Sequence, residues 1–327
     1  MKRKVIIKIK AMNMKNLVGI LIAMILSIPQ VQAQKTLSEL ANYPDKKFKK
    51  STRITVTYPA NLKAWRKVYG HKGGNSDFKF QLGKKVGLLT FFLTDYSKKN
   101  IKAMRDGGLV EQYLTESGGK PIITHIYDQT LPKIQQSVSE EGFNLLLPAD
   151  YANEDPKLNV YQNTKIEMSR VGKFVKGWGN YFAAADEKSP VAPASYRVFP
   201  EAVAVGGVDF GVARQLGFLM DKVEVDGFIS IQVITELTGK KVSIHGFKVS
   251  LHGRNPMEDI NGVKYTGGYF SSFIYGGVQM DLDKPIQFAK IGKKSGFEEF
   301  EIEGIGKIID RLVKMVMADY KEKIHGL

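Results

Sequence analysis

Two histidines, His245 and His252, are the first residues whose type invites chemistry, because a neutral imidazole is the commonest metal ligand. They lie seven apart in a segment that reads as a strand. Side chains alternate faces along a strand, so an odd spacing sends them to opposite faces unless a bulge intervenes. His71, His125 and His325 have no neighbour at ligand spacing, and the chain contains no HExxH pair. Carboxylates gather at Asp281 and Asp283, and at Glu298, Glu299, Glu301 and Glu303. Calcium takes such oxygens, but the ligand order of a calcium loop is missing. Negative charge at the start of a closing helix is the simpler use. Ser271 and Ser272 stand among glycines and aromatics without a G-x-S-x-G elbow to activate them. There is no Walker loop and no G-x-G-x-x-G. Gly206-Gly207 ahead of a helix could hold an anion through free N–H groups, although a tight turn is the commoner role. These types and spacings assign no catalytic residue, no metal and no cofactor.

The aromatic residues are better candidates, for contact rather than catalysis. In an extended Tyr265–Val278 segment, Tyr265, Tyr269, Phe273 and Tyr275 fall on one face. Such a face fits a partner, a second copy or the outer membrane; an ordinary hairpin in the protein's own sheet is the plain alternative. Trp178, Tyr181 and Tyr196 lie in a stretch rich in Gly, Ala and Pro, where they could stack on a sugar or a peptidoglycan fragment or simply be buried.

Positioning these residues falls to a mixed set of elements. Ile54–Tyr58 reads as a strand, and Pro59 can open a short helix. Val86–Leu93 is apolar on both faces and belongs in the middle of a covered sheet, with Asp95 closing it. Helical spacing runs over 121–141 despite Pro132, and Gly142 stops it. A short strand follows at Asn144–Leu147, then a helix from Asp155 to about Lys173. A helix over 208–222 precedes a hairpin of Phe228–Glu236 and Lys241–Leu251, and the spacing of Ile302, Ile305, Ile309, Leu312, Val316 and Tyr320 marks a closing amphipathic helix. The expectation is an α/β fold: a mixed sheet covered by helices, in a single domain over 53–327. Two Gly- and aromatic-rich excursions, 174–205 and 253–290, would project from it, and 34–52 would be a flexible lead-in.

Residues 1–33 read as a secretory signal peptide. A basic start (Lys2, Arg3, Lys4, Lys8, Lys10, Lys15) leads into Leu17–Ile28, 12 residues without charge. Pro29 breaks that run, and Val31 and Ala33 suit a cut before Gln34. Spanning a bilayer takes about 20 apolar residues, so a signal fits better than an anchor. Met14 could equally serve as the start. The signal holds six basic groups and no acidic ones, so the remainder carries +9 rather than +15. Those charges are scattered in short pairs, which with export argues against a nucleic-acid partner and fits a basic surface in an anionic envelope. The chain has no cysteine, so an exported form has no disulfide and rests on its core.

In order along the chain, "KVGLLTFFLTD" (85–95), the helix 121–141 leading to "LLLPAD" (145–150), the helix 208–222 before "VDGFISIQVITELTGKKVSIHGFKV" (225–249), and the helix 302–323 resemble the curli-type secretion channel lipoprotein family. The resemblance implies an α/β domain and an outer-membrane location; the lipid-attachment cysteine of that family is absent. The expected function is a non-enzymatic binding or assembly component of the periplasm or outer-membrane periphery, able to self-associate. The alternative is a hydrolase acting on an envelope polymer.

Overall fold

Strand formation follows the alternation. Along 228–234, Ile229, Ile231 and Val233 are apolar and share one side, while Ser230 and Gln232 take the other. The structure, a computed structural model, describes residues 36–57, 81–98, 116–169, 185–203, 209–255, 271–291, 297–299, 301–323 and 325. Its elements are α1 (Leu37–Ala41), α2 (Asp45–Ser51), β1 (Arg53–Thr57), β2 (Lys85–Lys98), α3 (Glu116–Glu140), β3 (Asn144–Leu146), α4 (Pro148–Tyr151) and α5 (Asp155–Asn163). After these come β4 (Ala185–Val191), a 3-10 turn (Pro200–Val203), α6 (Phe210–Val223), β5 (Gly227–Thr238), β6 (Lys241–Arg254), β7 (Ser272–Ile291), β8 (Phe297–Glu299) and α7 (Ile302–Lys323). The protein is α/β, as its sequence suggests.

Eight strands form one mixed sheet in the order β1-β7-β6-β5-β2-β3, with β4 beside β2 and β8 beside β7. β2 runs parallel to β3 and β5; the remaining pairs are antiparallel. One face of the sheet is largely apolar, with Asp95 and Thr235 as buried polar exceptions at one end. Val86, Leu88 and Phe91 of β2, the β5 trio, Phe247 and Val249 of β6, and Tyr275 and Val278 of β7 share a core with α1, α2, α3 and α7. The other face is apolar only at one end, where Leu89 and Phe228 pack with Tyr151, Tyr161, Phe199, Leu216 and Met220. The rest of that face mixes polar residues with a few apolar ones such as Phe92 and Ile234. The register places Thr90, Ser230, Ser250, Gly277 and Thr57 in one row across five strands. The next row is Phe92, Gln232, Lys248, Gln279 and Thr55.

Three expectations need correction. The lead-in is not a loose segment from Thr36 onward. A capping box joins Thr36 and Glu39 at the start of α1, and Leu37, Leu40 and Phe48 are buried against the helical side of the core. Both ends of the 253–290 excursion belong to the sheet rather than projecting: β6 continues to Arg254, and β7, from Ser272, lies between β1 and β6. Its glycines and acidic residues resemble a loop, yet Gly276 lies where α7 crosses, and a Cβ there would stand a tight 3.3 Å from Val316. The 174–205 excursion contains β4, an antiparallel neighbour of β2. Two boundaries also moved: β2 extends to Lys98, and α5 stops at Asn163. The helix opened by Pro59 falls outside the described residues.

Candidate functional site

The outer edge of β2 is irregular. β3 pairs only with Lys85–Gly87 and β4 only with Leu93–Lys98. Between them the register against β5 slips by one residue at Leu89, which turns both Leu89 and Thr90 to the second face. Backbone groups here need other partners. The Tyr151 hydroxyl donates to the Leu88 carbonyl at 3.3 Å and the Tyr161 hydroxyl to that of Leu89 at 3.1 Å. The Thr90 hydroxyl reaches the Arg197 carbonyl at 2.7 Å. The α4–α5 segment and residues 193–199 are thereby docked on the gap.

A turn, Pro193–Tyr196, leads into this docked stretch, closed by Tyr196 N–H donating to the Pro193 carbonyl at 3.2 Å. Its third residue, Ser195, has φ 77°, where a turn normally places glycine. Tyr196 shares a 3.1 Å hydrogen bond with Tyr127 of α3, the rings meeting edge to face at 5.2 Å. Burial, with the Tyr127 contact, pushes the Tyr196 phenol far above its usual range; burial also raises Tyr161 and Tyr127, so all three stay neutral. Arg197 donates through Nη1 to the Tyr161 and Thr164 carbonyls at 2.7 and 2.6 Å, capping the end of α5. Its guanidinium lies 4.7 Å from the Phe199 ring. No carboxylate neutralises Arg197 among the described residues.

These groups bound a cleft of about 430 Å³, lined by Pro148, Leu158, Tyr161, Gln162, Tyr196 and Arg197, with Ser195 at its rim. Leu158 is a large apolar side chain left exposed. The half-buried Tyr196 ring, the Gln162 amide, a fixed guanidinium and a small apolar floor can hold a ligand by stacking and hydrogen bonds, while the buried Tyr161 supports them from beneath. Of these residues only Tyr196 stood out in the sequence. Tyr161 and Arg197 gain their roles from a contact between distant segments, although Pro193 and Ser195 do carry a turn signal.

The other residues singled out have structural partners. A register slip at His245 does bring both histidines to the polar face. Seven residues of strand still hold them about 23 Å apart, too far to share a metal. His252 is buried, and its Nε2 lies 2.9 Å from the Ala202 carbonyl, a neutral donor whose pKa burial lowers to about 4. His245 stacks on Tyr96 at 4.4 Å with Glu236 3.8 Å away. The Ser272 hydroxyl donates to the Ala213 carbonyl, and that of Ser271 to Arg214, fastening β7 to α6. Glu301 accepts from the N–H groups of Leu37 and Ser38, Glu303 pairs with Lys307, Asp283 with Arg53, and Asp281 accepts from Gln279. Among the described residues no three His, Asp or Glu converge as a metal site.

Phe273 and Tyr275 do not lie on an open surface where a partner could reach them. Both are buried in the main core, where Tyr275 stacks on Tyr320 at 5.5 Å and its hydroxyl donates to the Arg254 carbonyl at 2.6 Å. β7 is covered by α7, and Phe273 and Tyr275 lie in the core they share with that helix. Tyr265, Tyr269, Trp178, Tyr181 and the Gly206-Gly207 pair lie outside the described residues. A second recess, along α3, carries Ser117, His125 and Asp128. A rise of 1.5 Å per residue sets Ser117 about 12 Å from His125 along the helix, which cannot form a nucleophile–base pair.

Comparison of the chain with protein-family models, with curated proteins and with solved structures finds no match.

Proposed function

We propose that the mature chain is an exported, non-enzymatic binding component of the cell envelope, at the periplasm or outer-membrane periphery, and that the Tyr196 cleft takes its ligand. The observation that carries this reading is Ser195. A serine held at positive φ on the rim of a concave, mixed-polarity cleft is backbone strain kept where a ligand would sit. Arg197, which pairs with no carboxylate among the described residues, and the half-buried Tyr196 ring favour a sugar-containing fragment of an envelope polymer with carbonyl or carboxylate acceptors. The signal-like residues 1–33 and the resemblance to an outer-membrane family support the location. A hydrolase would need a base within reach of its nucleophile; the residues lining this cleft include no histidine and no carboxylate.

Equilibrium titration of the mature protein with soluble peptidoglycan fragments tests the reading. Saturable binding is expected, weakened about tenfold or more by Gln162→Ala or Leu158→Asp, whose side chains are exposed. Binding that neither substitution weakens would place the ligand elsewhere. Cleavage of the fragments would favour the hydrolase.

A further inference from the structure

Helix α2 carries an unusual concentration of unpaired positive charge. Its seven residues, Asp-Lys-Lys-Phe-Lys-Lys-Ser, include one buried side chain, Phe48. At 3.6 residues per turn, Lys46, Lys47, Lys49 and Lys50 occupy an arc of about 160° centred opposite Phe48. All four are exposed. Lys46, Lys49 and Lys50 form no ion pair among the described residues, and Lys47 lies 3.8 Å above the Tyr43 ring. The carboxylates nearby are already occupied: Asp45 by Arg311, Glu39 by the cap of α1 and Asp283 by Arg53.

Helix α7 shows the contrast. Its exposed cations are matched with carboxylates: Lys307 with Glu303, Lys314 with Asp310, Lys321 with Glu141, and Lys323 with Asp319. The fan on α2 is also firmly mounted. Arg311 of α7 lies 4.0 Å over the Phe48 ring and donates to the Ala41 and Tyr43 carbonyls at 3.1 and 2.5 Å. The Thr52 hydroxyl holds the Phe48 carbonyl at 2.8 Å. A charged array on a fixed base loses little backbone freedom when it meets a surface.

We propose that α2 is an electrostatic docking face for an anionic lipid bilayer. The shape favours a bilayer over a linear polyanion, since a convex helix with lysines fanned across its outward side meets a plane, whereas a chain-like polymer is gripped in a groove. Tyr43, half-buried beneath Lys47, supplies the kind of ring that sits at headgroup level. This inference stands apart from the Tyr196 cleft, and its failure would leave the ligand reading untouched.

The test is co-sedimentation of the mature chain with vesicles of phosphatidylcholine alone and of phosphatidylcholine mixed with phosphatidylglycerol, over a range of salt. Binding is expected only with the anionic lipid and should decline as salt screens it. The Lys46→Gln, Lys49→Gln, Lys50→Gln triple variant should reduce partitioning about a hundredfold, near fivefold for each lysine. Its thermal midpoint should stay close to wild type, since none of the three side chains forms an ion pair or hydrogen bond among the described residues. Equal binding to neutral vesicles, or undiminished binding by a folded triple variant, would overturn the proposal. So would capture by a soluble polyphosphate chain without any binding to vesicles.

Discussion

His252 and Ser195 are the two side chains whose environments most clearly depart from what their types prefer. His252 is neutral because it is almost fully buried and its side-chain partner among the described residues is a carbonyl. Its folded pKa, about 4, lies below the unfolded value near 6.5, so the unfolded chain binds the extra proton between those limits. Stability therefore rises with pH across that window and is fully present above it. Acidification from pH 7 toward 4 should remove about 3 kcal/mol through this residue. Urea unfolding at several pH values should show that slope, and His252→Gln should flatten it. At Ser195 the left-handed backbone costs a non-glycine residue roughly 1–2 kcal/mol. Ser195→Gly should raise stability by about 0.5–1 kcal/mol, the relief exceeding the added freedom of the unfolded chain. A fall in denaturation midpoint would mean that the serine side chain is held by contacts that outweigh the strain.

At the scale of elements, two segments that look peripheral in sequence are parts of the core. α1 and α2 contribute only Leu37, Leu40 and Phe48 among many charged residues, too sparse for a periodic signal. The Thr36–Glu39 capping pattern is the local cue that marks their start. Phe48→Ala should cost about 3–5 kcal/mol, a core value. Tyr275→Ala in β7 should cost a similar amount in thermal or chemical unfolding. A surface partner-contact residue in either position would cost within about 0.5 kcal/mol, so the two measurements separate structural from contact roles. The aromatic alternation of β7 was legible, but alternation cannot say whether the neighbour is a helix of the same chain or another molecule. The crossing of α7 at Gly276 decides it.

For the whole molecule, the sheet is built asymmetrically. One face is a largely apolar layer beneath α1, α2, α3 and α7, and the other carries rows dominated by polar residues, from Thr90 to Thr57 and from Gln232 to Thr55. No helix among the described residues is long and apolar enough to cross a membrane. Export is tested by amino-terminal sequencing of the protein recovered from its host. Gln34 is expected as the first residue, and recovery of the chain with Met1 or Met14 intact would argue against a cleaved signal. Mass measurement with and without detergent, alongside, would read self-association directly.

The α/β class, the main strands and the closing helix follow from the sequence alone, because apolar periodicity and turn residues act over a few neighbouring positions. The cysteine-free composition and the signal-like start are likewise local properties. The cleft is different in kind. Tyr161 and Arg197 meet only because an interrupted strand edge leaves backbone groups that segments 60 to 110 residues away must satisfy. The face presented by β7 is also non-local, since a strand's own pattern does not reveal what covers it. Tertiary structure decided both, because burial is a relation between segments and hydrogen-bond demand at one edge selects which distant side chains answer it.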